Sequence, residues 1–224
     1  MIWEPATVAE TTAVNDELFQ LSLAVTASVA DGFHVAGQYH RVLVDGVGDA
    51  TFAIASAPGQ RAFDYLVKRH GHLTQALSRL SAGASVRVSH VGGKGFPLEL
   101  AKGHDLLLVG TGSGVGPLRS VIEVVRRRRQ DFGKVTLVYG VRTSSHLAWA
   151  SSFEGWATED IRVVPTVTRP DASWTGATGR VQQHLGGTLG QSIAFLCGQK
   201  QMVHEVTSLL AARGLPTDRI FLNH

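Results

Sequence analysis

Residues 105–129, DLLLVGTGSGVGPLRSVIEVVRRRR, constrain the fold more than any other stretch of this 224-residue chain. An apolar run, Leu106 to Val109, leads directly into Gly110, Gly112, Gly114 and Gly116, and apolar residues then recur at Leu118, Val121, Ile122 and Val125. The pattern reads as strand, glycine turn, helix. Glycines permit positive φ and close backbone approach, and the helix start that follows presents free N–H groups and a partial positive charge to a phosphate. Such a turn suits a dinucleotide. Its spacing, G-x-G-x-G from Gly112 to Gly116, is not the Rossmann G-x-G-x-x-G. Pro117 predicts a helix that starts late, with the proline at its first position. The same glycines would also serve a βα connection that binds nothing.

Two rhythms divide the chain. Up to about Leu100 there are six short, mostly alternating segments: WEPATV, LFQLSLAV, GQYHRVLV, TFAIAS, AFDYLVK and ASVRVSHV. Turn signals lie between them at Asp31-Gly32, Asp45-Gly46 and Pro58-Gly59. This spacing predicts an antiparallel β-barrel, with one helix over 72–80 covering its end. After Asp105, apolar runs at 106–110, 135–140, 161–167, 193–198 and 219–222 alternate with helical stretches, the clearest ending at Gly214 with Pro216 beyond. That is the pattern of an α/β unit built on a five-stranded parallel sheet. The predicted domains are 1–102 and 103–224. Ligands of open parallel sheets sit at the carboxyl ends of the strands. Four loops, 110–116, 139–143, 166–169 and 197–200, are therefore expected to converge on one ligand.

Composition excludes several classes. Hydrophobic residues make up 44% and charged residues 17%, a globular balance, and no apolar run reaches the ~18 residues of a membrane span. The expectation is a soluble protein, either without a leader or with a transit peptide already absent. A net charge of +3 argues against nucleic acid as the main partner and leaves room for an acidic one. The single cysteine, Cys197, forms no internal disulfide, points to a reducing compartment and cannot hold an iron–sulfur cluster. His70 and His72 alternate without a second ligand pair, so no metal site is expected.

Four motifs, in order and at sensible spacing, are GQY at 37–39, FAIAS at 52–56, GTGSGVGPLRS at 110–120 and CGQKQMVHEV at 197–206. Together they resemble the ferredoxin–NADP reductase superfamily over essentially the whole chain. FAIASAPG, LVKR, GGKGFPLE, VVPTVTRPDASWTG and LCGQKQM are similar to a narrower branch, the plant and algal plastid FAD/NAD(P)-binding oxidoreductases first named from a kiwi fruit protein.

The resemblance implies a barrel that binds FAD, a parallel sheet that binds NADP or NAD, and electron transfer from NAD(P)H through flavin to an external acceptor such as ferredoxin. It implies a plastid stroma or a bacterial cytoplasm as location. By position it puts Phe52 against the isoalloxazine and Ala53, Ile54, Ala55 and Ser56 along the flavin strand. Leu66, Val67 and Lys68 would lie on the adenosine side of FAD, and His72, Leu73 and Thr74 at the pyrophosphate. Gly110, Thr111, Gly112, Ser113 and Gly114 would face the nicotinamide dinucleotide, with Cys197 and Gly198 flanking the nicotinamide. Thr168 and Arg169 would hold a 2′-phosphate, with Arg180 near the adenine, which favours NADPH. Phe52 and Cys197 are thus the residues nearest the implied chemistry, although Cys197 would equally serve as a core thiol.

One departure matters. The family's Arg-x-Tyr-Ser reads Ala50, Thr51, Phe52 and Ala53 here, so the arginine that pairs with the FAD pyrophosphate is absent, and Lys68, Arg61 and Arg41 are the cations nearby in sequence. A nucleotide-binding or regulatory protein without stable flavin is the alternative. Arg126 to Arg129 read as a solvated helix end, or as a docking site for an acidic carrier.

Overall fold

A computed structural model describes residues 2–186 and 190–223. The first half contains Trp3–Ala13 (β1), Leu18–Val25 (β2), Ala27–Asp31 (α1), Tyr39–Val44 (β3), Gly48–Ala53 (β4), Ala62–Lys68 (β5), His72–Leu77 (α2) and Ser85–Ser89 (β6). The six strands form one antiparallel sheet in the order β4-β3-β6-β1-β2-β5. Just past β4, the Ala55 N–H donates to the Asp64 carbonyl at 2.7 Å, so the two edges meet in a nearly closed barrel. Alternation decides the interior: Phe19, Leu21 and Leu23 of β2 and Phe63, Tyr65 and Val67 of β5 all point into one core.

Two details differ from the sequence pattern. Asp31-Gly32 is the end of α1, which Thr26 caps by accepting from the Val29 N–H. The helix expected over 72–80 stops at Leu77, because the Arg79 and Leu80 N–H groups turn to the carbonyls of Ala76 and Leu77.

The second half contains Asp105–Thr111 (β7), Val115–Arg127 (α3), Val135–Val141 (β8), Phe153–Thr158 (α4), Ile161–Val167 (β9), Ala177–Thr178 (β10), Ser192–Cys197 (β11), Lys200–Ala212 (α5) and Ile220–Leu222 (β12). Its sheet is parallel throughout, in the order β10-β9-β8-β7-β11-β12. The sheet therefore has six strands where five were expected. The extra one, β10, is two residues long and carries no apolar run to announce it. Leu106 and Leu108 of β7 pack with α3, whereas Leu107 and Val109 pack with α5 on the opposite face. Gly214, at φ +85°, ends α5 as expected, its N–H donating to Ala211.

Pro117 is not the first residue of α3. The helix begins at Val115, after a 3₁₀ turn over Gly112–Gly114, and Pro117 is its third residue. N–H groups of a first helical turn have no intrahelical partner, so proline is tolerated there as well.

The two halves share a packed contact. Leu18, Leu66 and Phe96 join the core around α3, and Phe96 stacks on Phe195 with centroids 4.7 Å apart. Arg119 of α3 pairs with Asp64 at 3.0 Å and lies over the Trp149 ring, while the Ser120 hydroxyl donates to the Ser56 carbonyl at 2.6 Å.

Candidate functional site

The four expected loops converge. Thr111 to Ser113, Gly140 to Arg142, Thr168 and Gln199 border one cleft of about 330 Å³ at the carboxyl edge of the parallel sheet. Glu17 and Lys68 close it from the barrel side, and Arg180, Gln182 and Glu205 from the face that carries α5. The cleft thus lies between the halves and is bordered by both.

Each glycine of the turn has its own reason. Gly112 has φ +55° and faces open space, so a side chain there would be strained and would project where a ligand could lie. Gly114 is different: a Cβ would come within 2.5 Å of the Cys197 carbonyl oxygen, so this glycine lets α3 pack on the end of β11. Gly110 is likewise closed in, by Leu118 at 2.8 Å from a Cβ. Enlarging Gly114 would therefore disturb the fold as well as the turn.

The cleft is laced with ion pairs. The Glu17 carboxylate lies 3.0 Å from Lys68 Nζ, 3.5 Å from Arg142 Nη1 and 3.8 Å from His146 Nε2. Lys68 beside it holds the Glu17 carboxyl below the usual carboxylate range. Glu205 accepts hydrogen bonds from Gln182 and Gln201 and lies 3.8 Å from Arg180. Thr168 and Arg180 border the cleft; Arg169 does not, and is exposed beyond it.

Cys197 and Gly198 sit behind the glycine turn, outside the cleft lining. Burial pushes the Cys197 thiol up to about 11, against a smaller opposing effect of Asn223, so the group is a neutral thiol at physiological pH.

The barrel residues are disposed differently. Phe52 is half-buried, with its ring against the barrel core and edge-on to Tyr65, and Ala53 is half-buried beside it. Ile54, Ala55, Ser56, Leu66 and Val67 are buried, so only their backbones can meet a ligand. The Ser56 hydroxyl already accepts from the Asp64 N–H. His72 is exposed at the first position of α2, a helix start that no side chain caps, followed by half-buried Leu73 and Thr74. The Thr74 hydroxyl accepts from the His70 N–H at 2.7 Å. Of the cations near the missing arginine, Arg41 is paired with Asp49 and Lys68 with Glu17, while Arg61 is exposed.

The arginines at the end of α3 and just beyond it are not a free basic patch. Arg126 pairs with Glu123 and Glu159, Arg128 with Glu99 and Asp131, and Arg129 with Asp160, while Arg127 donates to the Pro58 carbonyl.

Residues 108–208 match the oxidoreductase NAD-binding domain family. The chain is 34% identical over 178 residues to ferredoxin–NADP reductase B of Sorangium cellulosum, covering 73% of this chain and 71% of that one. It belongs to the ferredoxin–NADP reductase superfamily of FAD/NAD(P)-binding oxidoreductases. This member is also 28% identical to fruit protein pKIWI502 of Actinidia deliciosa, over 99% of this chain and 77% of that one. It is 30% identical over 194 residues to sulfhydrogenase 1 subunit gamma of Pyrococcus furiosus, of which it spans 66%. Among solved structures, a ferredoxin NADP+ reductase from Neisseria gonorrhoeae with bound FAD and NADP superposes with a TM-score of 0.85 at 20% identity, covering 98% of this chain and 97% of that one. That likeness establishes the shared two-part fold. Among the described residues no helix is long and apolar enough to cross a membrane.

Glu17, His146, Gln182, Gln201 and Glu205 also line the cleft and were not expected from the sequence. Glu205 had a weak signal, since it lies one turn from buried Met202 on α5. Glu17 had none, because Arg142 and His146 lie far away in sequence.

Proposed function

We propose that this reductase-family chain binds NADP(H) or NAD(H) in the cleft between its halves and FAD on the barrel, and passes electrons to an external carrier. The observation that carries the reading is the convergence of the glycine turn, three further strand-end loops and Lys68 on one cleft. The residues fit a dinucleotide: Gly112 leaves room for phosphate, and Lys68, Arg142 and Arg180 supply positive charge.

A flavin also fits, though with fewer ionic contacts. Phe52 offers a partly exposed ring, Ala53 a backbone N–H, and the uncapped N–H groups of His72, Leu73 and Thr74 a place for pyrophosphate. When bound, FAD would supply the redox chemistry that links a reduced nicotinamide to an electron acceptor. Phe52 would lie against the flavin ring, and Cys197, a neutral thiol, would stand behind the glycine turn that holds the dinucleotide. A division into a flavin unit, 1–102, and a nucleotide unit, 103–224, is part of this reading, and the two separate sheets support it.

A preference for NADP(H) rests on Thr168 and Arg180, with no help from Arg169, and Glu205 tempers it. The external acceptor is proposed to be a small one-electron carrier of the ferredoxin kind, docking elsewhere than at Arg126 to Arg129. The lone thiol and the similarity to both plant and bacterial proteins support a plastid stroma or a bacterial cytoplasm.

The second reading, a nucleotide-binding protein without stable flavin, draws on Ala50, Phe52 and Ala53. The absorption spectrum of the purified protein, before and after incubation with FAD and removal of the excess, separates the two. Flavin bands that persist support the reductase; a colourless protein after incubation supports the alternative.

A further inference from the structure

Glu17 borders the cleft with basic side chains from both halves around it. Its backbone is fixed: the Asn15 side-chain oxygen accepts from the N–H groups of Glu17 and Leu18 at 2.8 and 2.9 Å, and the Asn15 amide donates to the Ser145 carbonyl. The β1–β2 hairpin is thereby tied to the loop after β8. On that loop the His146 imidazole is oriented by a bond of 2.7 Å between its Nδ1 and the Thr143 hydroxyl, which turns Nε2 toward Glu17. Lys68 comes from the barrel, and Arg142 and His146 from the parallel sheet. All four side chains border the cleft.

A carboxylate held among three basic groups inside a cleft suited to a dianionic ligand has two consequences. It pairs with the Lys68 and Arg142 cations, and it repels and must yield to any phosphate that enters. Resting on the dinucleotide reading above, we propose that Lys68, Arg142 and His146 form a phosphate subsite for the nicotinamide dinucleotide. Glu17 is its built-in counter-anion, which the ligand displaces. The contact links the two halves and lowers apparent affinity, because only the displaced arrangement is competent to bind. The nicotinamide dinucleotide is favoured over FAD as the source of the phosphate because Thr111 to Ser113 and Gly140 to Arg142 border the same space.

The test is calorimetric titration of the full chain, wild type and Glu17→Gln, with NADP⁺, inorganic pyrophosphate and FAD in separate arms, beside a thermal melt of each variant. Glu17→Gln is expected to bind NADP⁺ and pyrophosphate about three- to tenfold more tightly, with FAD unchanged. In an Arg142→Gln background the gain is expected to shrink below about twofold, since the two groups act on each other. Unchanged or weaker NADP⁺ and pyrophosphate binding in a folded Glu17→Gln protein overturns the proposal, as does tightening confined to FAD. If pyrophosphate tightens but no variant binds NADP⁺, the counter-anion stands in for some other phosphate, and it is the dinucleotide reading that fails.

Discussion

The parallel-sheet edge and the barrel wall present their candidate ligand groups in opposite ways. At the sheet edge, side chains and an open glycine face solvent: Thr111, Gly112, Arg142, Thr168 and Arg180 all border a cleft. Along the barrel wall, Ile54, Ala55, Ser56, Leu66 and Val67 turn their side chains into the protein, leaving backbone groups and one aromatic ring. The first site can therefore be altered one side chain at a time. The second depends on the shape of the barrel more than on the identity of its wall residues, and Ala50 adds no charge to it.

The largest expected effect contrasts two glycines of one turn. Gly114→Val should destabilise the protein by roughly 3 kcal/mol or more, because the side chain meets the backbone of β11. Gly112→Ala should cost only about 1–2 kcal/mol for its left-handed backbone, yet weaken NADP⁺ binding by about tenfold or more. Chemical denaturation and calorimetry on both variants check this. Equal stability of the two would remove the distinction between a packing glycine and a ligand glycine.

Mild acid should weaken the barrel through one buried imidazole. His40 is 1% exposed, shares a hydrogen bond with the Tyr65 hydroxyl, and has no partner for Nδ1 among the described residues. Burial pushes it down from 6.5 to about 4, against a smaller opposing effect of the Ser89 backbone. A depressed folded value means that the unfolded chain binds the proton first. The contribution of neutral His40 is thus complete above pH 6.5 and is lost as pH falls toward 4, to a total of about 3 kcal/mol. Urea midpoints at pH 7.5 and 4.5 should differ for wild type and converge in His40→Gln, after allowance for that variant's lower starting stability.

The barrel's missing charge is the next lever. Ala50→Arg should tighten FAD by about one to two decades, the 1.5–3 kcal/mol of a charge-assisted bond, with a larger gain at low salt. Fluorescence titration of the flavin-free protein at two salt concentrations measures it. No gain would mean that the barrel wall does not present position 50 to the pyrophosphate.

Much of this organisation was legible in the sequence, for identifiable reasons. Strand alternation and the glycine turn are local signals, so the six barrel strands, the β7–α3 unit and the convergence of loops at the strand ends followed from periodicity and one rule about parallel sheets. The two-residue β10 was not legible because it carries no pattern. The reason for Gly114 was not legible either, because it depends on where β11 ends relative to α3. Glu17, His146 and Glu205 were missed since their importance comes from long-range placement beside partners on other elements. The departure at Ala50 was visible; that Arg41 and Lys68 are already paired was not.

The smallest expected effect concerns nucleotide choice. Arg180→Ala should weaken NADP⁺ about three- to fivefold more than NAD⁺, a modest ratio because the guanidinium is solvated and already faces Glu205. Arg169→Ala should change neither, since that side chain lies outside the cleft. Competition binding with the two nucleotides decides between the arginines. A dominant effect of Arg169 would reverse the assignment.

The most direct measurement of the central claim is the visible spectrum of the FAD-loaded protein, freed of unbound flavin, on anaerobic addition of stoichiometric NADPH or NADH. The account predicts that the oxidised flavin bands bleach with at least one nucleotide, and that Gly112→Val bleaches far more slowly at the same concentration. Flavin that stays bound and oxidised with both nucleotides would contradict it.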